Sequence, residues 1–100
     1  MIENILHRLQ NNKFLVISVT DLKNLLKKAE LLLEANTYLS DYIRILLYDN
    51  HVIIQEQTQK GEIIVREQES LEKARIFLAN RIEIYEKMWN GCGCKVGYFE

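Results

Sequence analysis

Residues Thr37-Tyr38-Leu39-Ser40-Asp41-Tyr42-Ile43-Arg44-Ile45-Leu46-Leu47-Tyr48 decide the fold of this chain. Read at helical spacing, Tyr38, Leu39, Tyr42, Ile43, Leu46 and Leu47 recur at i, i+1, i+4, i+5, i+8 and i+9 and share one face. Read as a strand, Ile43–Tyr48 is a short apolar run rich in β-formers. The helix reading accounts for more residues, because Tyr38 and Leu39 extend the same stripe. It predicts a helix over 38–48, capped by Thr37 and stopped by the turn pair Asp49-Asn50.

Towards the N-terminus, Leu22, Leu25, Leu26, Ala29, Leu32 and Leu33 also fall on one helical face. They predict a helix over 21–36, with Thr20 and Asp21 at its start and Asn36 as its C-cap. Phe14–Val19 is β-branched and aromatic, which predicts a buried strand over 14–19. Ile2, Ile5, Leu6 and Leu9 predict a short amphipathic helix over 2–10, ended by Asn11-Asn12.

Towards the C-terminus, His51–Gln57 and Glu62–Glu67 form the clearest local pattern, a β-hairpin over 51–67. Its first strand starts with apolar Val52, Ile53 and Ile54 and ends with polar Gln55, Glu56 and Gln57. Gly61 supplies positive φ in the connection. Ser70 then caps a long helix over 70–90. Leu71, Ala74, Leu78, Ile82, Tyr85 and Trp89 make its apolar stripe, a face for the core or for a second subunit. Ile76 and Ile84 lie off that stripe. We expect them to widen the core face; the alternative is a second apolar surface for a partner. Gly91 ends the helix, followed by a Cys-Gly turn and tail over 91–100.

These elements predict one α+β domain over 1–100. It has four helices and a β-hairpin, or a three-stranded antiparallel sheet if 14–19 joins it. A long C-terminal amphipathic helix closes it.

Composition narrows the function classes. The 100 residues are 48% hydrophobic and 27% charged, with net charge −1. That is a soluble-domain balance, and it excludes a polyanion binder that works by bulk charge. There is no proline, and Gly61 is the one glycine before position 91. No apolar run approaches the roughly 20 residues needed to span a bilayer, and nothing at the start reads as a targeting segment. We expect no membrane role and a cytoplasmic location, with reduced thiols unless the host is a hyperthermophile.

Both cysteines, Cys92 and Cys94, sit in Asn90-Gly91-Cys92-Gly93-Cys94-Lys95. Two thiolates one residue apart can hold one soft metal ion, zinc or iron, but zinc sites take four ligands. A two-fold axis could supply the pair twice. His7 and His51, the two histidines, are not placed nearby by spacing. A thiol-redox or disulfide role has less support, because the redox signature is C-x-x-C. The plain reading is a glycine turn packed against Trp89 and Tyr98, with no cofactor expected.

The element order resembles a winged helix with a C-terminal dimerisation helix. That resemblance implies a recognition helix over 37–48 and a wing tip at Lys60-Gly61. Thr37, Tyr38, Ser40, Asp41 and Arg44 would then face DNA, with Lys60 on the wing. Against it, residues 36–66 carry three cations and four anions: Arg44, Lys60 and Arg66 against Asp41, Asp49, Glu56 and Glu62. No enzyme motif is present: no glycine-rich phosphate loop, no His-Glu-x-x-His, no nucleophile elbow. The expectation is a small non-catalytic interaction module that homo-oligomerises through its last helix. A protein partner, DNA binding and a Cys-x-Cys metal site stand as alternatives.

Overall fold

A computed structural model describes residues 2–37, 42–58, 60–89 and 96–99, with side chains described for these except 36–37, 82–89 and 96–99. The chain runs α1 (Ile2–Leu9), β1 (Leu15–Ile17), α2 (Val19–Lys28), β2 (Glu30–Thr37), β3 (Tyr42–Tyr48), β4 (His51–Gln57), β5 (Ile63–Gln68), α3 (Leu71–Trp89) and β6 (Val96–Phe99). The six strands form one sheet in the order β1-β5-β4-β3-β2-β6, with every neighbouring pair antiparallel.

Asp49 and Asn50 explain why 42–48 is a strand and not the expected helix. Both have positive φ, 46° and 66°. Two consecutive left-handed residues make the two-residue hairpin turn whose twist matches paired strands. Aspartate and asparagine tolerate that region because they hydrogen-bond locally. The pair therefore folds β3 onto β4, with Tyr48 opposite His51 and Tyr42 opposite Gln57. Burial rewards the strand further. Ile43, Ile45 and Leu46 are all wholly buried. A helix would bury one stripe of this segment, whereas a strand covered on both faces buries alternate residues on each. Each fully buried residue of this kind contributes about 1.5–3 kcal/mol.

The helix expected over 21–36 is likewise corrected. It starts earlier, because Ser18 is the N-cap and its hydroxyl accepts from the Asp21 N–H at 3.1 Å. It stops at Lys28, where Ala29 turns extended at φ −87° and ψ 152°. Residues 30–37 have good helix formers, but tertiary pairing overrides that propensity. Leu33 pairs with Ile45, and Ala35 pairs with Ile43 and Tyr98. An irregularity between Leu31 and Leu33 absorbs the three-leucine run.

Other expectations fare differently. α1 buries Ile2, Ile5, Leu6 and Leu9, the four residues of its predicted stripe. The 51–67 hairpin forms as read, with Gln57 opposite Ile63 and Gly61 at φ +86°. The predicted wet end of its first strand is buried, however: Gln55 is 0% exposed and Glu56 3%. The strand over 14–19 is half-buried, since Leu15 and Ile17 face the core while Phe14, Val16 and Val19 are exposed. The long helix forms over Leu71–Trp89 but does not close the chain, because β6 follows it and pairs with β2. Among the described residues three helices and six strands thus replace four helices and a hairpin, and the winged-helix order is lost with the recognition helix.

Helices cover both sheet faces. On one, α1 and α2 pack Ile2, Ile5, Leu6, Leu9, Leu22 and Leu25 against β1, β5, β4 and Leu46. On the other, Ala74 and Leu78 of α3 pack against Ile43, Ile45, Val52 and Ile54. Leu46 and Ile53 belong to the first cluster while Ile45 and Ile54 belong to the second, as period-two alternation requires. The radius of gyration, 13.3 Å, is that of one small domain.

Candidate functional site

Two polar clusters are built into the sheet, one on each face. On the α1/α2 face, pairing sets Glu34 beside Arg44 and Arg44 beside Gln55. The Arg44 guanidinium donates through Nε to Glu34 and through Nη1 to Gln55 Oε1 at 2.7 Å. It also lies over the Tyr42 ring, 3.9 Å from the centroid. Gln55 Nε2 is buried, with no hydrogen-bond partner among the described residues.

On the α3 face, Glu56 is held between two arginines. Arg66 Nη2 donates to it at 2.9 Å, and Arg81 of α3 ion-pairs with it at 3.5 Å. Phe77 lies between these cations, 4.7 Å from Arg66 and 5.0 Å from Arg81. Phe14 lies 5.8 Å from Arg66 on the outer side. Breaking a buried pair of this kind by removing one partner costs about 3–5 kcal/mol. Both clusters therefore oppose register slip, because a one-residue shift would move each charge to the opposite face.

Exposed pairs link the elements elsewhere. The Tyr48 hydroxyl donates to Glu3 at 3.0 Å. The N–H at Glu3 and then the Tyr48 hydroxyl hold the Glu3 carboxyl below the ordinary glutamate range, while donation to Glu3 pushes the Tyr48 hydroxyl up. His51 Nδ1 and Glu67 are 2.6 Å apart. Lys73 donates to Glu69, an i,i+4 pair, and lowers that carboxyl.

The residues expected to contact DNA do not share one helix. Arg44 lies on β3, with its guanidinium engaged by Glu34 and Gln55. Thr37 ends β2, and Lys60 is exposed in the β4–β5 connection. Tyr38, Ser40 and Asp41 lie outside the described residues, as do Cys92 and Cys94. Among the described residues no group of three or more His, Cys, Asp or Glu could hold a metal ion. No helix there is long and apolar enough to cross a membrane.

The stripe of α3 divides. Ala74 and Leu78 are buried in the core, while Leu71 is 36% exposed. Ile82, Tyr85 and Trp89 lie on the helix, with side chains outside those described. Ile76, expected to widen the core face, is 56% exposed instead. With Leu71, Glu72, Arg75 and Ala79 it lines a shallow groove of about 480 Å³ on the helix's outer flank. Its position off the main stripe was the available sequence signal. The sheet clusters had none of comparable strength, because Glu34, Arg44 and Gln55 meet only once three strands pair. Comparison with protein-family models, curated proteins and solved structures returns no match.

Proposed function

We propose that this protein is a small non-catalytic interaction module that homo-oligomerises through α3. The observation that supports the reading is the exposed Ile76, continuous with Leu71 and Ala79 along the outer flank of that helix. A single exposed isoleucine needs no explanation, but a contiguous apolar strip edged by charge is the form of a contact surface. Its charges are self-complementary. Antiparallel pairing of two copies about a two-fold near residues 73–74 sets Glu72 beside Arg75 of the second copy, and Leu71 against its Ile76.

Sedimentation at micromolar concentration tests this. Ile76→Glu places a carboxylate in the strip without touching the core, so the variant keeps its circular dichroism and sediments at half the wild-type mass or less. A wild-type monomer, or a variant with unchanged mass, rejects the reading.

A further inference from the structure

We infer that the sheet face between α3 and β1 binds an acidic peptide segment of a partner protein, in which a carboxylate stands beside an aromatic or aliphatic side chain. On this face α3 covers Ile43, Ile45, Val52 and Ile54. The strip beyond them stays open. Leu15 and Ile17 of β1 belong to the cluster under α1 and α2, so alternation turns Val16 to the α3 side, opposite the half-buried Ile64. Val16 and Phe14 are 51% and 52% exposed. Phe14 lies 5.8 Å from the Arg66 guanidinium, which lies 4.7 Å from Phe77 of α3. Arg81 lies 5.0 Å from the same Phe77 ring. Side chains of three segments thus make one surface, apolar at the β1 side and cationic towards α3, the mixture that marks a contact site.

Charge complementarity selects the occupant. Glu56 is 3% exposed and already accepts from Arg66 Nη2 at 2.9 Å. Arg81 reaches that shared carboxylate only at 3.5 Å, and 34% of its side chain stays in solvent. Its Nε is buried with no hydrogen-bond partner among the described residues. A guanidinium carries five donors, so Arg81 has capacity that Glu56 does not use. The anion lies beneath and the cation faces out, so an incoming carboxylate is attracted and an incoming lysine repelled. The side chain next to that carboxylate then packs over Phe14, Val16 and Phe77. A phosphate backbone suits the surface less well: the chain's net charge is −1, and nucleic acid binding draws its affinity from many cations.

The test is selection of a phage library of random peptides on the wild-type protein, followed by calorimetric titration of the enriched peptide. We expect enriched sequences with Asp or Glu beside Phe, Tyr, Leu or Ile. Phe14→Ser and Arg81→Gln, each checked as folded by circular dichroism, should each weaken that peptide about tenfold. An amide in place of the peptide's carboxylate should weaken binding to the wild type as much, and add little against Arg81→Gln, because both changes remove the same pair. If Arg81→Gln does not fold, Phe14→Ser and the amide peptide carry the test, since neither disturbs the core. No enrichment, a basic consensus, or equal binding to Phe14→Ser and wild type overturns the proposal. A random single-stranded oligonucleotide that binds the wild type and is lost in both variants overturns it in favour of nucleic acid. A self-association that sedimentation shows lost in Phe14→Ser overturns it in favour of a second copy.

Discussion

Asp49 and Asn50 both adopt positive φ at the turn that joins β3 to β4. Their left-handed conformation costs an ordinary residue about 1–2 kcal/mol each, and most for a β-branched side chain. Asn50→Val should therefore lower unfolding stability by about 1–2 kcal/mol, measured by urea titration. Asn50→Gly should be neutral or stabilising, because glycine enters that region freely. Equal effects of the two variants would show that φ at this turn does not matter. The same chemistry was visible in the sequence as a turn signal. Its ambiguity was that a turn pair ends a helix as readily as it joins two strands.

Between elements, the Tyr48–Glu3 hydrogen bond ties α1 to the end of β3. Its titration behaviour sets a pH window. Glu3 has a depressed pKa in the folded state, so its contribution is present above the unfolded value, near 4.3, and is lost as pH falls through the folded one. Tyr48 has a raised pKa, so its contribution is present below about 10 and is lost as pH rises through the folded value. Tyr48→Phe should therefore flatten the stability profile at both ends, with its largest effect between those limits. An unchanged difference from wild type across pH 3–11 would remove the hydrogen bond as its cause. Long range, 45 residues in sequence, hides this link from any local reading.

Across the whole molecule, stability should be highest where both faces are covered. β3 and β4 lie inside the sheet and carry Ile43, Ile45, Leu46, Ile53 and Ile54 at 0% exposure. Their amides should exchange last, at rates set by global unfolding, and those of α1 well before them. Faster exchange in β4 than in α1 would contradict a core centred on the sheet. Gln55 and Glu56 belong to this protected region despite their polarity, since Arg44 donates to the Gln55 amide oxygen and Arg66 to the Glu56 carboxylate from neighbouring strands.

What the sequence by itself determined is local: the apolar face of α1, the β4–β5 hairpin with Gly61 at its turn, and the helix that begins after Ser70. Each follows from spacing, caps or glycine within a few residues. Tertiary structure decided the rest. Residues 30–37 and 42–48 have the side chains of helices and form strands, because pairing and burial on two faces outweigh propensities of less than 1 kcal/mol per residue. Pairing of β2, β3 and β4 likewise assembled Glu34, Arg44 and Gln55, and the packing of α3 turned Ile76 outward. Those outcomes depend on which surfaces meet, and that is set only when distant segments are brought together.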